Sequence, residues 1–134
     1  MITDALLRVS EDQALTTTAV STNTIDLDVA RDIGEGTPLY MNFAVTTALA
    51  GGTSVKFEVV VSDNANLSSP TVIGSSDAVL TAALVAGKNV VVRLNPLIAE
   101  KGARYLGARY TISGTYTSGK VTADIVETIG DGRK

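Results

Sequence analysis

The chain has 134 residues, 45% of them hydrophobic and 19% charged, with three prolines. That is enough apolar material for one domain to bury roughly two-thirds of its unfolded surface, and too much for a chain that stays disordered. There is no cysteine, histidine or tryptophan, aromatics make up 4%, and the formal net charge is −3. These absences argue against disulfides, thiolate nucleophiles, zinc fingers, the commonest general base, sugar-stacking platforms and attraction to a phosphate backbone.

Taken in chain order, β-prone stretches fall at residues 5–9 and 15–20, and Ile25, Leu27 and Val29 then alternate with Asp26 and Asp28. After Pro38, which is tolerated at a strand start, Leu39, Met41, Phe43 and Val45 interleave with Tyr40, Asn42, Ala44 and Thr46. This is the period of a strand with one face on a core. Residues 47–52 end in Gly51-Gly52 and predict a turn that pairs this strand with the next. In that next strand Val55, Phe57, Val59 and Val61 point in, while Lys56, Glu58, Val60 and Ser62 point out. A short strand is expected at 71–73, and residues 78–85 read equally as strand or helical turn.

Val90, Val92 and Leu94 form a further strand with Arg93 outward. Asn95 as cap, Pro96 at the first helical position and Gly102 as closure then predict one short helix. Leu106, Ala108, Tyr110 and Ile112 face in, with Tyr105, Arg109 and Thr111 opposite, and Val121, Ala123 and Ile125 make the last strand. Between those two, residues 114–119 are rich in Gly, Ser and Thr and read as a hairpin connection. The pattern predicts an all-β fold: an antiparallel β-sandwich or jelly roll of about eight strands with one short helical turn. It is expected to form a single domain over residues 1–134 with loose ends at about 1–4 and 130–134. No apolar run reaches the roughly 20 residues that cross a bilayer, and the Met1-Ile2-Thr3-Asp4 start has no basic, apolar leader pattern, so a cytosolic origin is expected.

The residues offer little chemistry. Carboxylates gather at Glu11-Asp12, at Asp26 with Asp28, at Asp32 with Glu35, and at Asp63 beside Asn64 and Asn66. Calcium uses such oxygen ligands, but neither an EF-hand loop nor a Gly-Asp repeat is present, and solvated strand faces and turns account for them. Gly34-Glu35-Gly36 lacks the third glycine and the following helix of a dinucleotide fingerprint. Asn66-Leu67-Ser68 has the form of a glycosylation acceptor without a secretion context. No catalytic, metal-binding or cofactor-binding residue is therefore expected, and the chain reads as a binding protein and not an enzyme. Thr16, Thr17, Thr18, Tyr40, Val60, Tyr105 and Tyr116 are the outward candidates for a contact surface. Charge is uneven along the chain: residues 1–63 hold nine acids and three bases, residues 64–134 five acids and eight bases.

Three stretches carry a resemblance. Leu7-Arg8-Val9-Ser10-Glu11-Asp12-Gln13-Ala14 running on to Ser21-Thr22-Asn23-Thr24-Ile25-Asp26-Leu27, Gly34-Glu35-Gly36-Thr37-Pro38-Leu39-Tyr40, and Arg104-Tyr105-Leu106-Gly107-Ala108-Arg109-Tyr110-Thr111-Ile112-Ser113-Gly114 are similar to the jelly-roll capsid cement, or decoration, proteins of tailed bacteriophages. The resemblance spans nearly the whole chain. It implies a virion protein, made in the host bacterial cytoplasm, that sits on the capsid exterior and clamps neighbouring major capsid subunits of HK97-like fold, itself a homodimer. It transfers no contact map. The contact residues expected from sequence are Leu7, Val9, Thr16, Thr17, Thr18, Arg31, Asp32, Glu35, Tyr40, Tyr105 and Arg109, grouped as an N-terminal arm, a polar loop at 31–37 and strand-borne aromatic and basic side chains. A tail, fibre or adhesin β-sandwich that binds a protein or glycan surface is the alternative the residues leave open.

Overall fold

Alternation of apolar and polar residues builds strands locally, but two of the strands are far longer than the pattern predicts. The computed structural model describes residues 7–26, 39–94 and 104–126. Within them the chain forms β1 (Arg8–Ala14), β2 (Ala19–Val20), β3 (Ile25–Asp26), β4 (Tyr40–Ser62), β5 (Thr71–Ser75), β6 (Val79–Leu80), a 3-10 turn (Thr81–Ala83), β7 (Asn89–Arg93) and β8 (Tyr105–Val126). The architecture is all-β, and each strand pairs antiparallel with β4 or β8. The short helix expected after Asn95 lies outside the described residues, as do the expected loose ends and Arg31, Asp32 and Glu35.

β4 has 23 residues and β8 has 22. They pair with each other from Tyr40 opposite Val126 to Ser62 opposite Tyr105. A straight ribbon of that length would extend about 75 Å at the usual strand rise. Instead the register slips four times between Val45 and Ser54, and each such bulge bends and twists a strand. The two turns expected from sequence, at Gly51-Gly52 and at 114–119, are therefore not turns. They lie opposite one another, Gly52 against Gly114 and Ala50 against Ser118, and form the paired corner of one ribbon. A glycine-rich segment suits a hairpin or a bulge equally well, and only the partner strand decides which forms.

The corner folds the ribbon into two layers. The first holds β1, residues 120–126 of β8, residues 40–45 of β4, and β7; the second holds β2 and β3, residues 105–113 of β8, residues 54–62 of β4, and β5 and β6. Strands that pass between layers through bulges are how sandwich corners are made. Between the layers lie Met41, Phe43 and Val45 from one arm of β4, Val55, Phe57, Val59 and Val61 from the other, and Leu106, Ala108, Tyr110, Val121, Ala123 and Ile125 from β8. These are the side chains the alternation points inward. Phe43 reaches across the layers to Phe57 and Tyr110, with ring centroids 5.1 and 5.8 Å away, and Phe57 meets Tyr110 edge-on at 6.0 Å.

Val60, expected outward, is fully buried. It does face away from the main core, but residue 107 opposite it is glycine, and the loop after β4 places Leu67 there. A Cβ on Gly107 would come 2.5 Å from Leu67 Cδ1 and 2.9 Å from Ser21 Oγ. The missing side chain is what lets Leu67 bury itself on this outer face. A long-range loop contact of this kind leaves no trace in the alternation.

Candidate interaction surface

The expected contact residues separate into three groups. Leu7 is half-buried against the core, and Val9 is fully buried within it, so Val9 has no surface to offer a partner. β1 begins at Arg8 and is paired with β8, which makes the expected N-terminal arm part of the sheet from that point. It runs through Glu11 and Asp12 as a bulge in which Asp12 takes φ +46° and its N–H donates to Thr122 Oγ1 at 3.0 Å. Asp is among the residues that tolerate this left-handed backbone.

Tyr40, Tyr105 and Arg109 form the second group. Tyr40 and Tyr105 are half-buried at the ends of β4 and β8 farthest along the ribbon from the corner. The guanidinium of Arg104 lies 5.1 Å from the Tyr105 ring centroid and binds both carboxylate oxygens of Asp26, at 2.7 and 2.9 Å. Arg109 is engaged within the sheet: its Nε donates to Glu58 Oε1 at 2.8 Å, and Thr111 Oγ1 donates to the same oxygen at 2.6 Å. Burial pushes the Glu58 carboxyl up, but the bonds from Arg109 and Thr111 outweigh it and hold the pKa below its ordinary value. A depressed folded pKa gives stability that is complete above the unfolded pKa and is lost as pH falls through the folded one. Urea midpoints measured from pH 7 to pH 3 should therefore drop below about pH 5, and Glu58→Gln should start lower at pH 7 yet fall less on acidification. Parallel curves for the two proteins would show that Glu58 does not drive the loss.

The third group, Thr16, Thr17 and Thr18, is exposed and lies at the corner of the ribbon. Four segments meet there. Residues 15–20 bond to β8 through Leu15 N–H to Gly119 O at 3.1 Å, Tyr116 N–H to Thr16 O at 2.9 Å and Ile112 N–H to Thr18 Oγ1 at 2.9 Å. Residues 113–120 of β8 pair with 47–54 of β4. On the far side residues 79–88 follow β4, with Leu80 opposite Ser54, Leu49 N–H bonded to Leu84 O at 3.0 Å and Gly87 N–H to Val45 O at 2.9 Å.

Tyr116, expected on the surface, is the pin of this corner and is 1% exposed. Its hydroxyl lies 2.7 Å from Thr81 Oγ1, whose own proton goes to Gly52 O at 2.8 Å. The Tyr116 O–H is therefore the donor to Thr81. The Tyr116 ring occupies the space a side chain at residue 52 would need: a Cβ there would meet ring atoms at 2.6 Å. Gly52→Ala should cost about 1–3 kcal/mol by overpacking, read from denaturant midpoints, and Gly52→Ala combined with Tyr116→Leu should recover part of that loss. An unperturbed Gly52→Ala protein would mean that the ring is not held there.

The corner also stands apart chemically. The four segments, 15–20, 45–54, 79–88 and 112–120, contain no aspartate or glutamate, and their only charges are Lys88 and Lys120, in a chain with 14 acidic residues. Besides the two lysines, the exposed residues are Thr, Ser, Ala and Gly, together with Leu80 and Val85, which at 64% and 54% exposure lead the large apolar side chains on the described surface. Depletion of charge around apolar residues marks the centre of protein interfaces. Among the described residues no group of three or more Asp, Glu, His or Cys side chains could hold a metal ion.

Sequence reasoning found the threonines but missed Leu80, Val85 and Lys88. Its one available signal was residues 78–86, an apolar stretch with no polar alternation to give it a buried and a solvated side.

No curated protein matches this chain. The family model of Bbp16 matches residues 9–125, from the first core valine of β1 to the last inward isoleucine of β8, and the chain belongs to the Bbp16 family.

Proposed function

We propose that this protein is a structural component of a phage particle that binds the outer surface of the capsid and cements neighbouring major capsid subunits. The acid-free corner carries this reading: a partly apolar end whose only charges are two lysines, on a firmly packed sandwich, suits the cover of a neighbour's surface. Membership in the Bbp16 family, whose name suggests a phage-related protein, supports the setting, and the likeness of residues 7–27, 34–40 and 104–114 to cement proteins supports the role.

The mechanism is linkage. A ligand that binds only the assembled lattice stabilises it by RT ln(1 + [L]/Kd), about 2.7 kcal/mol per site at a hundredfold excess over Kd. Repetition over a shell makes modest sites sufficient. A homodimer formed through another face would present two such ends, so that its second contact becomes intramolecular and gains avidity.

The test uses shells assembled from the major capsid protein encoded in the same genome. The purified chain should co-sediment with them saturably and raise their melting temperature. Shells that bind none of it, or bind it without a gain in stability, would end this reading.

A further inference from the structure

We infer that the acid-free corner docks on a protein face that offers an apolar recess bordered by carboxylates, with Leu80 and Val85 as anchors and Lys88 as the charged contact. The identity of that protein, the capsid subunit, rests on the function proposed above; what is added is the face used and the chemistry it meets.

The anchors stand on fixed backbone. Leu80 is paired with Ser54 in β6, and Val85 follows Leu84, which is fully buried and bonded to Leu49. The Lys88 N–H closes a turn back to Val85 O at 3.0 Å, which keeps the lysine next to the second anchor. A backbone already held in place loses little freedom on binding, so more of the anchors' burial appears as affinity. Between and beside the anchors, the exposed Ala82, Ala83 and Ala86 are small enough for close approach of a partner.

Charge selects the occupant. The nearest acids along the chain, Asp12, Glu58, Asp77 and Asp124, lie outside the four segments, and the charges within them are both positive. A second copy meeting this surface across a two-fold axis would bring the same patch onto itself, lysines included, and like charges brought together cost affinity. A different protein with carboxylates at the rim of its recess is attracted instead.

The experiment titrates the full chain and three variants against shells assembled from the major capsid protein of the same genome, after equal melting curves have shown that each variant folds. Leu80→Asp should weaken binding at least about tenfold. Lys88→Glu should weaken it several-fold at low salt, with a difference that shrinks as salt rises. Val72→Asp, an equally simple change at an exposed position on β5, should bind like the wild type. If the wild type binds and Leu80→Asp and Lys88→Glu bind equally well, the inference fails while the capsid reading stands; if Val72→Asp loses as much as Leu80→Asp, the inference fails too. A Leu80→Asp protein that elutes as a smaller species than the wild type would assign the patch to self-association and overturn it. A wild type that does not bind the shells overturns the capsid reading and the inference with it.

Discussion

Phe57→Ala is expected to cost roughly 3–5 kcal/mol of folding free energy, the range for removing a buried aromatic ring. Phe57 is fully buried, lies opposite Tyr110 in its own layer, and touches Phe43 from the other layer. Its loss therefore removes both an edge-on aromatic contact and part of the wedge between the layers. The backbone here is committed to β4–β8 pairing on one side and to Ser76 N–H on the other, so the cavity cannot collapse cheaply. Since domains are commonly stable by only about 5–15 kcal/mol, the variant sits close to unfolding, and Phe57→Leu, which keeps part of the volume, provides the graded comparison. Urea unfolding of both variants is the measurement. A Phe57→Ala loss below about 1 kcal/mol would mean that the three-ring cluster does not hold the layers together.

The second large effect is expected at Arg8→Met. The Arg8 Nε donates to Asp124 Oδ1 at 2.6 Å, across the pairing of β1 with β8, and the Asp124 side chain is only 5% exposed. The hydrogen bond to Asp124 raises the Arg8 pKa further, so the guanidinium stays charged at any usable pH. Glu11, at 3.7 Å and mostly exposed, adds little. Removing one partner of a buried pair leaves the other charge uncompensated and costs roughly 3–5 kcal/mol when burial is complete. Arg8 is partly open to water, which places the expected loss near the lower end, at about 3 kcal/mol. Arg8→Met with Asp124→Val removes both charges and should restore most of the stability, because two apolar residues in place of an ion pair are often neutral or better. If the double variant is as unstable as the single one, the loss comes from packing of the arginine stem and not from the orphaned carboxylate.

The pairing of β1 with β8 from Arg8 onward decides where the expected N-terminal arm can be truncated to test its contacts. Deleting residues 1–9 would remove Arg8 and the core residue Val9, and would unfold the sheet edge whatever the arm contacts. Deleting residues 1–6 leaves both in place, and binding by that variant is the informative measurement.

Which side chains face the core is a local property. Strand backbone sends successive Cβ atoms to opposite faces, so the alternation at Met41, Phe43 and Val45, at Val55, Phe57, Val59 and Val61, and at Leu106, Ala108 and Tyr110 was legible residue by residue, and with it the antiparallel all-β class. Four other features depend on partners distant in the chain. Gly51-Gly52 and residues 114–119 become a corner because they face each other in the β4–β8 register. Val60 is buried because Leu67 occupies the space above Gly107, and Tyr116 is buried because Thr81 and Gly52 receive it. The acid-free end was present in sequence as four uncharged or lysine-bearing stretches separated by tens of residues; folding of the ribbon at its bulges makes them one surface, since a strand's direction is set by its own backbone but its neighbours are set by hydrogen bonds to chain far away.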